Sequence, residues 1–166
     1  TSWGGSSYGS FPDLRISSHC CDDGIYFVFS EEANGDIDLD FSHFPQGYGV
    51  YFLPFSPASD EDSNAKAHYE QLCNIYPLDK TQVESAEVYG LDDRLFVITL
   101  EQHAYWAAVL DRNTYEVLQK FKICDDPEGW RIGNIFGQDD HFIINFYGDT
   151  FALIAPDGND GYMTAM

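Results

Sequence analysis

Hydrophobic and polar residues alternate in short runs along most of the chain, which is the pattern of β-strands. Three segments align on an Asp-Asp pair, and each pair separates a strand-like run from a run of β-branched and aromatic residues. Because Asp side chains hydrogen-bond nearby backbone, each pair is expected to lie in the turn of a β-hairpin. The pairs are Asp22-Asp23, Asp92-Asp93 and Asp139-Asp140.

Two more strand-like runs follow each hairpin, so each repeat predicts a unit of four antiparallel strands. In the first unit these runs are Asp36–Ser42 and Gly49–Ser56. The three units cover 14–56, 84–123 and 131–166 and together form one expected domain, 14–166.

The insertion 57–82 separates the first two units and predicts one short amphipathic helix. Its apolar residues recur every three or four positions, as on one face of a helix. Ser63 is expected to cap the helix and Pro77 to end it. The apolar positions are Ala65, Tyr69, Leu72 and Tyr76.

The four-stranded units resemble the blades of a β-propeller. Residues 105–123 (YWAAVLDRNTYEVLQKFKI) are similar to the outer half of a quinoprotein-type or WD40-like blade, and 92–100 (DDRLFVITL) to the strand before it. The strict WD40 signature and the kelch double glycine are both missing. The resemblance implies an all-β fold of about three four-stranded antiparallel propeller-like blades with one short inserted helix.

Three blades do not close a ring, because propellers typically have four to eight. Three explanations stay open: a part of a longer propeller, two chains forming one six-bladed ring, or a stack of sheets that is not a propeller. Since open repeat arrays expose apolar faces, a lone monomer would need Trp3, Phe11 or the inserted helix to cover its ends.

The composition limits the classes of partner. With 44% apolar residues the chain can bury a core, and 28 acidic against 8 basic residues give a formal net charge of −20. A surface this negative repels phosphate backbones and anionic lipid. Nucleic acid is therefore not the expected ligand. The apolar runs are too short to span a bilayer. A protein or a carbohydrate remains as the expected partner.

The sequence constrains the cellular location of the protein and the state of its cysteines less than it constrains the class of partner. The Gly/Ser-rich linker 1–13 fits a segment after a removed export signal or lipid anchor, and it fits an artificial cut in a longer chain as well. The location stays open, with an extracellular or cell-surface location favoured over the cytoplasm. Cys20 and Cys21 would leave a strand on opposite faces, so no bridge between them is expected. Buried free thiols are expected, with a bridge from either residue to Cys73 or Cys124 as the alternative.

Sequence motifs for catalysis are missing. The chain contains no serine-nucleophile motif, P-loop or dinucleotide fingerprint, and its five histidines occur in no tight metal-ligand spacing. The sequence therefore favours a non-catalytic binding or scaffold module that holds a protein or glycan ligand. The alternatives are an acidic inhibitor or immunity-like protein that neutralises a basic partner, and a glycan-active enzyme.

The resemblance to propellers implies that the ligand lies on the loops between the second and third strands and between the units. Aromatic and polar side chains on these loops could stack on or hydrogen-bond to the ligand. The candidate residues are His103, Tyr105, Trp106, Trp130, Tyr147 and Asp149.

No cofactor is expected, and calcium is the one cation that the acidic clusters suggest. Asp36, Asp38 and Asp40 would share one face of a strand, where a solvated outer face over buried Ile, Leu and Phe residues is the favoured explanation. Asp157, Asn159 and Asp160 lie among glycines, where a plain hairpin turn is the alternative.

Overall fold

The computed structural model describes residues 14–31, 40–56, 66–126, 131–147 and 150–166. Their regular elements are β-strands and two short 3₁₀ turns, which confirms the all-β prediction. The strands form three antiparallel sheets of four or five strands. The chain divides into two compact units, Thr1–Val88 (unit 1) and Tyr89–Met166 (unit 2).

Unit 1 contains a five-stranded sheet in which β1, β2 and β3 are neighbours in chain order. Both β4 and β5 pair with β3. The first Asp-Asp pair lies in the β1–β2 hairpin turn, as predicted, because Cys21 pairs with Gly24. The strands are β1 (Leu14–Cys21), β2 (Gly24–Glu31), β3 (Gly49–Ser56), β4 (Lys66–Ala67) and β5 (Cys73–Pro77).

The predicted helix in the insertion is wrong within the described residues. A 3₁₀ turn, Tyr69–Gln71, separates β4 from β5. The reason is tertiary pairing: β5 hydrogen-bonds to β3, and this buries Asn74 and Ile75. Tyr69, expected on the packed helix face, is 73% exposed.

The prediction of a strand over Asp36–Ser42 is also wrong at its described end, residues 40–42. Phe41–His43 is a 3₁₀ turn, and the Asp40 carboxylate accepts the Ser42 N–H at 2.8 Å. This short-range bond favours a turn over a strand. Asp36 and Asp38 lie outside the described residues, as do Trp3 and Phe11.

Unit 2 contains two four-stranded meanders, and the first strand of the first meander, β6, begins in unit 1. Their Asp-Asp pairs lie in hairpin turns, as predicted, with Asp92 and Asp139 in the left-handed region that Asp tolerates. The first meander is β6 (Val83–Leu91), β7 (Arg94–Glu101), β8 (Ala104–Asp111) and β9 (Val117–Asp125). The second is β10 (Ile132–Gln138), β11 (His141–Phe146), β12 (Thr150–Pro156) and β13 (Tyr162–Ala165).

The core of unit 2 is apolar and lies between its two sheets. Alternate residues of each strand point into it, as the two-residue period of a strand requires. Phe96 meets Phe142 edge-on with ring centroids 4.7 Å apart, and Tyr105 lies 4.9 Å from Phe146. Aromatic packing therefore joins the two sheets of this unit.

Unit 1 buries apolar side chains, among them Tyr26, Val28 and Val50, and also buries polar groups. The Ser30 hydroxyl donates to the Ala86 carbonyl and accepts the Ala86 N–H, both at 2.9 Å. The Ser17 hydroxyl accepts the Val88 N–H at 3.0 Å. Side-chain hydroxyls of β1 and β2 thus hold the first part of β6.

Candidate functional site

The β7–β8 turn carries the first predicted site residue. Glu101 pairs with Ala104, so Gln102 and His103 alone form the turn. Both are exposed and both have positive φ, 50° and 62°. That backbone suits Asn-Gly, whereas side chains such as those of Gln and His are strained there.

Backbone hydrogen bonds tie the neighbouring connections of unit 2 together. The Asp126 N–H donates to the His103 carbonyl at 2.7 Å. The Tyr147 N–H donates to the Arg131 carbonyl at 2.9 Å, and the Tyr147 side chain is 65% exposed. We call Gln102, His103, Asp126, Arg131 and Tyr147 the loop edge.

The structure separates the predicted ligand residues. His103 and Tyr147 are exposed on the loop edge, whereas Tyr105 is 1% exposed and packs against Phe146 in the core. Trp130 and Asp149 lie outside the described residues.

Trp106 is half-buried on the face of β8 opposite to Tyr105. The Lys120 ammonium lies 5.7 Å from the centre of its ring and 3.0 Å from a Glu101 carboxylate oxygen. Glu101 also accepts the Thr99 hydroxyl at 2.6 Å. This cluster covers one side of the indole with a cation, which limits stacking by a sugar ring.

Gln102, the other residue of the β7–β8 turn, was not among the predicted site residues. The sequence shows a two-residue link between two strand-like runs, and this link is Gln-His rather than the preferred Asn-Gly. That difference was the signal from which an unusual turn could have been predicted. Only the backbone angles show that both residues adopt the left-handed conformation.

The acidic clusters serve local structure in the described residues. Within these, no group of three or more His, Cys, Asp or Glu residues is placed to hold a metal ion. Asp157 instead accepts the N–H groups of Asn159 at 2.7 Å and Gly161 at 3.1 Å, which closes the β12–β13 turn. Asp160 occupies the same turn, with φ of 62°. At the other cluster, hydrogen bonds from the Ser42 hydroxyl and N–H lower the pKa of Asp40.

A hydrogen-bonded chain in unit 1 was not foreseen. His68 Nε2 lies 2.9 Å from the Ser56 hydroxyl, and its Nδ1 lies 3.3 Å from Glu70. This connectivity resembles a nucleophile, base and orienting acid. Ser56 and Glu70 are exposed, so water weakens the electrostatic coupling on which such activation depends. These hydrogen bonds attach the 3₁₀ turn Tyr69–Gln71 to the end of β3.

The four cysteines are free thiols in the structure. Cys20 is exposed rather than buried, and the other three are half-buried. Burial, with a smaller effect of Asp126 and Asp125, raises the pKa of Cys124 to about 11. Burial also raises the pKa of Cys73. Both thiols are therefore protonated at neutral pH and poorly nucleophilic.

In comparisons with protein-family models, with curated proteins and with solved structures, nothing matches this chain. Among the described residues, no helix has the length and apolar character needed to cross a membrane.

Proposed function

We propose that the protein is a non-catalytic binding module that contacts a protein ligand through the loop edge. The observation that carries this proposal is the turn of Gln102 and His103, two exposed non-glycine residues in the left-handed conformation. Strained backbone of this kind costs on the order of 1–3 kcal/mol per residue and is concentrated at functional sites. The hairpin needs the turn, but it does not need these side chains.

The surroundings of the turn favour a protein over a glycan. Tyr147 offers an exposed aromatic ring, and the Lys122–Asp125 ion pair at 2.5 Å adds charges of both signs nearby. Exposed tyrosine with a mixed polar rim is typical of protein interfaces. Trp106, the second aromatic candidate, has Lys120 over its ring.

The propeller-like arrangement is part of the same proposal. Each sheet of unit 2 is a meander of four strands in chain order, which is the strand order within a propeller blade. In propellers the connections between strands form the binding surface, and the loop edge consists of such connections.

Site-specific photo-crosslinking tests this function. A benzophenone side chain at position 103 or 147 is expected to capture the same protein from extracts of the source organism. An excess of unlabelled protein should suppress the capture. Tyr69 is the matched control position, because it is a highly exposed tyrosine in unit 1.

Different partners at positions 103 and 147, or the same partner at position 69, would contradict a shared binding edge. Binding in a glycan panel that is lost in Tyr147→Ala would assign the edge to carbohydrate instead.

A further inference from the structure

We draw no further inference here: the strongest candidate, the hydrogen-bonded cluster of Ser56, His68 and Glu70 at the end of β3, carries no catalytic assignment, because Ser56 and Glu70 are exposed to water and the cluster serves the attachment of the 3₁₀ turn already described.

Discussion

Units 1 and 2 both bury apolar side chains, and unit 1 adds buried hydroxyl groups that bond to the backbone of β6. In unit 2, Phe96, Phe142 and Ile144 are fully buried in an apolar core. In unit 1, the Ser17 and Ser30 hydroxyls bond to the backbone of β6. Apolar packing is non-directional, whereas each of these hydrogen bonds needs one particular backbone group.

The hydroxyl contacts of unit 1 fix the register of β6. A slip of β6 by one residue would leave both hydroxyls and the backbone groups of Ala86 and Val88 without these bonds. The hydroxyl contacts of unit 1 therefore specify the alignment of β6, while apolar burial in both units supplies stabilising free energy.

The largest effect should come from the core of unit 2. Phe142→Ala removes a fully buried ring that contacts Phe96, and it should lower the free energy of unfolding by about 3–5 kcal/mol. Phe151→Ala on the opposite side of the same sheet is the control, since that side chain is 52% exposed. Urea denaturation of dilute protein measures both. Equal losses would mean that both sides of the sheet carry similar burial energy.

A smaller loss is expected in unit 1. Ser30→Ala leaves the Ala86 N–H and carbonyl without their hydroxyl partner, which should cost about 1–3 kcal/mol. Amide hydrogen exchange of Ala86 should accelerate accordingly. Ser18→Ala, on the other face of β1, is the matched control. Unchanged exchange at Ala86 would show that the hydroxyl does not hold β6.

The ion pair of unit 1 predicts a pH dependence. Burial raises the pKa of Glu87, opposed by the Arg15 guanidinium at 2.8 Å and a hydrogen bond from Ser17. The folded state therefore binds the proton of Glu87 more tightly than the unfolded chain does. Its contribution to stability is complete below the ordinary pKa of 4.5 and is lost as pH rises through the raised value.

Glu87→Gln tests that direction because Gln does not ionise. From pH 4.5 upwards, the wild type should lose stability relative to this variant, as measured by urea denaturation at each pH. Glu84→Gln, an exposed site on the same strand, controls for the loss of one negative charge. A relative gain by the wild type would mean that attraction to Arg15 outweighs burial.

The sequence predicted the parts of the fold that depend on local signals. Strands separated by Asp-Asp turns follow from alternation and turn chemistry, and β7 and β11 lie where those signals place them. The helix prediction failed because the spacing of Tyr69 and Tyr76 fits a helix face, while pairing with β3 makes β5 a strand. Pairing between distant segments leaves no local signal.

The sequence indicated connections that carry candidate side chains, but it did not indicate which of these side chains are exposed. His103 and Tyr147 are exposed on the connections that the resemblance indicated, yet Tyr105, two residues after His103, is in the core. In a strand, one residue decides which face a side chain joins. Similarly, the apolar runs of β7 and β11 do not reveal that Ile143 is exposed while Val97 is fully buried.

The smallest predicted effect concerns the loop edge and has the opposite sign. His103→Gly should raise the free energy of unfolding of unit 2 by about 0.5–1 kcal/mol, because glycine adopts a φ of 62° without strain and the strain relieved exceeds the extra backbone entropy that glycine loses on folding. His141→Gly is the control, since that residue lies in a strand without positive φ and should lose stability. If His103→Gly destabilises the protein, the imidazole supports the fold and the proposed binding role of His103 is wrong. If it stabilises the protein and abolishes partner crosslinking at position 147, the histidine is retained for binding at the expense of the hairpin.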